Sequence, residues 1–474
     1  MRRETLMNIV YMFADQLRRM SLGYAGDPLA RTPNIDSLAR ESCELTEAVS
    51  GHPVCAPYRA SLLTGKYTTS TGMVINEIRI SPDHDTLAKA LSRAGYETSY
   101  IGKWHMYANE LGNHYDPKNS YIPAGPDRLG FDGTFAAFNF HHEYYWDHAY
   151  YHLNSPEKLS WGDGAYEPDA ETDMAIRELE RLSGTGKPFA LFLSLGTPHD
   201  PWNEDNVPEK WLDLFRDTEF PLPGNYLPEN DPHADGWARL SPEERKKLPD
   251  WMRVYYAMTA DVDWNVGRIR ETIRRLGLEE DTIFVFTSDH GELFGAHGRR
   301  AKNIFYEEAV RVPFLMRCPG TIPAGSSPVC LNTVDIMPTL LTLCGLPIPD
   351  EVEGRDLSDA VLGKQDAFLP DGALMMGTGA TADWGEGYEW RAFRTERYTY
   401  AVYRADGEEL LFDRESDPLE MTNLASDPAC ASVLADLKEK MAREMERVND
   451  RFHPVTYYKK NWVKDRIILK TKAD

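Results

Sequence analysis

The amino-acid sequence predicts an α/β fold built on a largely parallel sheet, followed by a smaller C-terminal α+β part. Four short runs rich in Val, Ile, Phe and Tyr read as buried strands, and helix-like stretches lie between them. Beyond about Gly372 that rhythm gives way to short alternating segments, the pattern of an antiparallel sheet.

The first strand is MNIVYMF (7–13), and PNIDSLARE follows with Thr32 and Pro33 at its start, as a helix N-terminus requires. DTLAKALSRAG reads as a helix closed by Gly95, and ETSYI (97–101) as the second strand. PDAETDMAIRELERL carries an apolar stripe, PFALFLSL (188–195) is the third strand, and DTIFVFT (281–287) is the fourth. The acidic, Pro-rich region 203–250 reads as a loop insertion over the sheet, and Trp251 to Leu276 as one helix. In the C-terminal part GTGATADWGEG reads as a linker, RAFRTERYTYAVY and EELLFDRE as strands, and 431–448 as a helix. The expected division is a large α/β domain over 1–371 and a small α+β domain over 372–474.

The 474 residues include 52 Lys+Arg and 75 Asp+Glu, for a net charge of −23, with 42% hydrophobic residues. That composition excludes a disordered chain, and its acidic surface would repel a polyanion, so nucleic acid is not an expected partner. The 6 cysteines show no CxxC or similar spacing, which argues against a disulfide framework and fits a reducing compartment. The apolar run at the N-terminus is broken by Asp15 without a small-residue cleavage site. No run approaches the ~18 apolar residues of a membrane span, so a cytoplasmic protein without a membrane partner is expected.

Each strand runs into residues capable of chemistry: Asp15-Gln16, Lys103-Trp104-His105, His199-Asp200, and Asp289-His290-Gly291-Glu292. A single Asp at a strand end is usually a turn residue, but coincidence at the carboxyl ends of several strands is where open α/β sheets place their sites. Asp15, Asp289 and the amide oxygen of Gln16 form a hard oxygen set suited to Ca²⁺ or Mg²⁺. His290 adds a nitrogen, which leaves Mn²⁺ or Zn²⁺ open.

In SGHPVCAPYRASLLTGKY (50–67), Pro57 fits the first turn of a helix and Gly65 its end, which places Cys55 at the helix N-terminus. A thiolate is stabilised there, and Arg59 can share its face, so a reactive sulfur is expected. The alternative is a small buried hydrophobe, and the residues alone leave both open.

CAPYR at 55–59 followed by ASLLTG resembles the C-x-P-x-R signature of type I sulfatases, the formylglycine-dependent sulfatase family of the alkaline-phosphatase-like superfamily. NIVYMFADQ, TPNIDSLA, IGKWH, TPHDPW, TSDHGELFGAHG, AKNIFYEEAVRVP, DIMPTLLTLCG and LFDRESDPLEMTNLA resemble further family blocks in family order, over nearly the whole chain. The resemblance implies a large mixed central sheet flanked by helices, and a smaller C-terminal domain with an antiparallel sheet.

It also implies that Cys55 is oxidised to formylglycine by a formylglycine-generating enzyme. Its hydrate, bound to Ca²⁺ with Mg²⁺ or Mn²⁺ as alternatives, would attack sulfur and form a covalent sulfo-enzyme ester. Asp15, Gln16, residue 55, Asp289 and His290 match the metal ligands. Lys103 and Arg59 would hold the diol, and His105 matches the base that expels sulfate. Lys302 and His199 would contact the sulfate and the bridging oxygen, with His199 the first choice as acid and Lys302 the second. Taken singly, these lysines and histidines read as surface lysines and loop histidines; their places within family blocks reverse that.

Two positions depart from the pattern: Asp15-Gln16 stands where many members have Asp-Asp, and Asp289-His290 where Asp-Asn is common. Both keep a donor atom, and the neutral Gln16 removes one negative charge beside the cation. His52 and His297 read as local packing. Residues 135–152 hold eight aromatics and four histidines, for which loop or subunit packing is favoured over stacking on a sugar. The acidic surface favours a small sulfated mono- or disaccharide, or an aryl sulfate, over a long sulfated polysaccharide. Alternatives are a phosphonate monoester or phosphodiester hydrolase of the same superfamily, a non-catalytic sugar- or sulfate-binding protein with Cys55 unmodified, and a thiol-dependent hydrolase.

Overall fold

The structure, a computed structural model, describes residues 6–108, 116–145 and 148–471. The strands of the large sheet are β1 (Asn8–Ala14), β2 (Cys43–Leu45), β3 (Glu97–Lys103), β4 (Phe135–Phe138), β5 (Phe189–Ser194), β6 (Thr282–Ser288), β7 (Phe314–Arg317) and β8 (Gly325–Ser327). Their order is β8-β2-β7-β6-β1-β5-β3-β4. The run from β6 to β4 is parallel, while β7 is antiparallel to both its neighbours, so the sheet is mixed.

β1 shows why its sequence is continuously apolar. Ile9, Tyr11 and Phe13 belong to the core on one face, and Val10, Met12 and Ala14 to the core on the other. A parallel strand covered on both sides has no polar face to present.

The helices that cover the sheet include α1 (Pro33–Glu41), α2 (Cys55–Thr64), α3 (Leu87–Arg93), α4 (Glu167–Ser183), α5 (Pro242–Arg275) and α6 (Ile336–Leu343). The α5 helix starts at Pro242, nine residues before the expected start at Trp251 and inside the region read as loop. The signal was present: Ser241 Oγ accepts from the Glu244 amide at 3.3 Å while Glu244 Oε2 accepts from the Ser241 amide at 2.8 Å. This capping box, with Pro242 at the first position, fixes the start in spite of Pro249 inside the helix.

The small sheet is antiparallel, in the order β9 (Ala373–Gly377), β10 (Trp390–Arg394), β11 (Tyr398–Tyr403), β12 (Glu409–Asp413). β9 precedes the Gly-rich linker and was hidden because ALMMG is buried throughout and shows no alternation. Helix α7 (Ala431–Arg447) packs Leu437 and Met441 onto Leu374, Met376 and Phe393 of this sheet. The chain then returns to the large core: Val455, Tyr458 and Ile468 join the cluster that contains α2. Two short strands, β13 (Val463–Lys464) and β14 (Ile467–Ile468), end the described chain. No helix of the described residues is long and apolar enough to cross a membrane.

Candidate active site

The register of the parallel strands sets the site. Ala14 lies opposite Ser288, and Ser194 lies opposite both Phe13 and Gly102, so the carboxyl ends of β1, β3, β5 and β6 finish level. The residues that follow therefore converge, and Asp15, Lys103 and Asp289 are all fully buried. Helix α2 brings Cys55 in at its first position and ends at Gly65, whose φ of 64° is the left-handed geometry of a helix stop.

A ring of charges closes around the sulfur. Lys103 Nζ lies 2.7 Å from Asp15 Oδ2, and Arg59 Nη2 lies 3.1 Å from that oxygen and 3.5 Å from Asp289 Oδ2. Arg59 Nη1 donates to the Lys103 carbonyl at 2.5 Å and to Ser194 Oγ at 2.6 Å, tying the ends of β3 and β5 to α2. Cys55 Sγ is 3.2 Å from His290 Nε2, 3.7 Å from Asp15 Oδ1 and 4.0 Å from Lys103 Nζ. Lys302 Nζ donates to Gln16 Oε1 at 2.9 Å and to His199 Nε2 at 2.6 Å. Both lysines are buried, so neither is the solvated surface lysine that each resembles in isolation. His105 sits beside this ring, its imidazole stacked on Phe140 at 4.4 Å.

Burial works to raise the Asp15 carboxyl, yet Lys103, His199 and Arg59 hold it well below the usual carboxylate range. Asp289 goes the other way: burial, and then the charge of Asp15, push it up to about 7. Burial also drives the histidines toward the neutral form, helped by Lys302 at His199 and His290. The expectation of a stabilised thiolate at Cys55 is corrected here. Burial and the neighbouring Asp15 push the thiol up to about 11, overriding the helix N-terminus.

The residues fit a divalent cation. Asp15, Cys55, Asp289 and His290 each present one ligand atom, and these atoms lie within 4.8 Å of one another. His290 Nδ1 donates to the Gly291 carbonyl at 3.0 Å, which leaves the lone pair of Nε2 toward the sulfur and the carboxylates. Two buried carboxylates in mutual repulsion are what a dication relieves. Gln16 works as a bracket: its Oε1 accepts from Lys302, its Nε2 donates to Glu292 Oε2 at 2.6 Å, and its amide donates to Asp289 Oδ1 at 3.0 Å.

Several participants escaped the sequence reading. Asn76 Oδ1 accepts from the Ala56 amide at 2.9 Å and so fixes the first turn of α2. The Tyr255 hydroxyl donates to the Gln16 carbonyl at 2.8 Å, from the middle of α5. The aromatic segment is expected to pack, and Phe135 does pack on Tyr100 and Trp104. Phe140 and His142 instead cover the site, His142 stacking on His199 at 4.2 Å and 10°. Their signal was the density of rings just beyond Lys103 and His105; Trp146 and Asp147 of that segment lie outside the described residues. His52 and His297 pack locally, against Thr68 Oγ1 at 3.0 Å and on the Tyr306 ring at 3.6 Å. A cleft of about 420 Å³ lined by Glu143, Tyr145, His148, Pro201, Asn203 and Asp205 is formed by the same two segments that carry His142 and His199.

Known proteins resemble this chain over nearly its whole length. The family model described as Sulfatase matches residues 7–346, and that of the N-sulphoglucosamine sulphohydrolase C-terminal region matches 295–447. An ulvan-active sulfatase of Formosa agariphila is 35% identical over 97% of this chain and 84% of its own length. An endo-4-O-sulfatase of Bacteroides thetaiotaomicron is 30% identical over 97% of this chain and 95% of its own. A Bacteroides thetaiotaomicron structure from work on glycosaminoglycan metabolism superposes with a TM-score of 0.80, at 28% identity, covering 97% and 99% of the two chains. The phosphonate monoester hydrolase of Agrobacterium radiobacter, at 24% identity and a TM-score of 0.72 over 93% and 96%, shares the fold.

Proposed function

The chain belongs to the sulfatase family, the sulfuric ester hydrolases of the alkaline-phosphatase-like superfamily, and from that premise we propose that it desulfates a sulfated carbohydrate through a formylglycine made from Cys55. The observation that carries the reading is the position of Cys55 Sγ, 3.2 Å from His290 Nε2 and 4.0 Å from Lys103 Nζ, inside a buried ring of acids and cations. A carbohydrate substrate is supported by the relatives active on ulvan or named for 4-O-sulfate, and by the hydroxyl, amide and carboxylate groups that line the adjacent cleft. The catalytic domain is taken as 1–371 and the C-terminal part as 372–474.

When present, formylglycine and a divalent cation held by Asp15, Asp289, His290 and Gln16 supply a nucleophile that a buried thiol does not. The chain's own groups do the rest. Arg59 and Lys103 hold residue 55 and neutralise Asp15, which keeps that carboxylate ionised for the cation. Lys302 Nζ donates to His199 Nε2 across 2.6 Å, so a charged ammonium and a neutral imidazole stand side by side where a departing ester oxygen needs a proton. His199 keeps its Nε2 edge forward because Nδ1 donates to the Asp200 carbonyl at 3.0 Å, while His142 covers its face. His105 is the base of the second half-reaction, in which a proton leaves residue 55.

A peptide mass across Cys55 tests the reading, together with turnover of an aryl sulfate and of sulfated mono- and disaccharides before and after chelation. The expected result is the mass loss of thiol-to-aldehyde conversion, turnover proportional to it, and loss on chelation restored by Ca²⁺, Mg²⁺ or Mn²⁺. Full activity of an unmodified, metal-free thiol would overturn it, and faster turnover of an aryl phosphonate would transfer the site to phosphorus chemistry.

A further inference from the structure

His105 is fully buried, and neither of its ring nitrogens has a hydrogen-bond partner among the described residues. An imidazole left like this is costly unless a neighbour completes it during the reaction. Phe140 covers its face at 4.4 Å and 25°, which leaves the ring edge as the approach. On that edge lies Glu77, 3% exposed, with Oε1 3.5 Å from His105 Nε2.

We propose that Glu77 is the positioning residue of His105, and that the C-terminal turn carrying Arg466 holds it in place. The inference rests on the reading of His105 as the base of this site. A separation of 3.5 Å is loose for a hydrogen bond, as pairs of this kind commonly are before substrate tightens them. A carboxylate facing Nε2 keeps the proton on that nitrogen and leaves Nδ1 as the basic one. When Nδ1 accepts a proton, the imidazolium charge is offset by Glu77.

The backbone points the same way. Glu77 and His105 have φ values of 65° and 57°, a region that a non-glycine residue occupies only where its surroundings hold it there. For Glu77 the hold comes from the far end of the chain. Arg466 Nη1 donates to the Glu77 carbonyl at 2.6 Å, the Arg79 amide donates to the Arg466 carbonyl at 2.7 Å, and the Ile468 amide to the Arg79 carbonyl at 3.0 Å. Ile468 anchors this strap in the core at 1% exposure. Burial lifts the Glu77 carboxyl to about 7, and the charges of Arg466 and Lys103 oppose the lift. The turn that carries Arg466 is thereby a working part of the site, although it lies outside both matched family segments.

The test is a double-mutant cycle with a spectroscopic readout. Glu77→Gln and Glu77→Ala are made in the wild type and in a His105→Ala background. Ring ¹⁵N shifts of His105 are recorded in histidine-labelled wild type, Glu77→Ala and Arg466→Ala. The expected result is a loss of kcat of about 10- to 100-fold on Glu77→Gln with KM changed less than about twofold, and almost no further loss when His105 is absent. Glu77→Asp is expected to restore part of the loss. The His105 proton is expected on Nε2 in the wild type and distributed over both nitrogens in Glu77→Ala. An equal loss in both backgrounds, or an unchanged His105 tautomer, would overturn the proposal. If the wild type shows no sulfatase turnover, the reading of the site has failed, and the tautomer experiment still decides the Glu77–His105 contact by itself.

Discussion

Two of the buried charge clusters in this protein are finished differently. Between the large and small sheets, Arg394 engages both oxygens of Glu307 at 2.6 and 3.0 Å and Glu47 at 2.7 Å, while Arg311 takes the other Glu47 oxygen at 2.7 Å. What stays unpartnered there on the basic side is guanidinium nitrogen only, Arg394 Nη1 and Arg414 Nε. At the strand ends three cationic side chains, Arg59, Lys103 and Lys302, surround the carboxylates Asp15 and Asp289. There imidazole nitrogens of His105 and His142 are also left over. Charge that the protein matches itself holds the fold, and polar groups left over at the strand ends are available to a ligand or to the reaction.

The largest effect that could break this contrast comes from Cys55→Ala. Turnover is expected to fall by about 10⁴-fold or more, with the melting temperature moved by only a few degrees. Calorimetry and single-substrate kinetics on the same preparation check it; a collapse in stability would mean that the site also holds the fold.

The reverse outcome is expected from Arg394→Met. Leaving Glu307 and Glu47 buried without this partner should cost about 3–5 kcal/mol in urea unfolding, with kcat/KM per folded molecule unchanged. A loss of activity without a loss of stability would erase the distinction between the clusters.

Lys302→Ala sharpens it from the other side. Removing the cation that faces Gln16 and His199 is expected to lower kcat/KM by about 10²- to 10³-fold, the range for one preorganised electrostatic donor. Because the loss leaves no carboxylate of the ring unpaired, its effect on the melting temperature should be small.

The same contrast explains what the sequence revealed. β1, β5 and β6 were legible because strands covered on both faces are apolar almost throughout, β3 through Tyr100 and Ile101 after the helix stop at Gly95, and Asp15, Lys103 and Asp289 because they stand at the ends of those runs. Cys55 was legible through Pro57 and Gly65, which mark the two ends of α2. Glu77 and Tyr255 were not: each acts across more than 25 intervening residues, and nothing in its local sequence marks it. The charge state of Cys55 was misjudged for a related reason, since a helix N-terminus is visible in sequence and burial beside Asp15 is not. The acids of the inter-sheet cluster, Glu47 and Glu307, look like ordinary surface residues until the small sheet is folded against them.

The smallest expected effect concerns a surplus acid of the inter-sheet cluster, Glu420. Glu420 is 2% exposed, its Oε2 accepts from the Glu307 amide at 3.0 Å, and its Oε1 has no partner. Burial, and then the charge of Glu307, push its carboxyl up to about 8 from an ordinary value of 4.5. The folded state therefore binds this proton more tightly than the unfolded chain. The stabilisation it contributes is fully present below about pH 4.5 and is lost as pH rises through about 8. Glu420→Gln removes the ionisation while keeping an acceptor for the Glu307 amide. The variant should thus gain on the wild type as pH rises from 5 to 8, by roughly a few degrees in melting temperature. Parallel pH curves for the two proteins would mean that Glu420 is already ionised and matched, and that the structural cluster has no surplus acid at all.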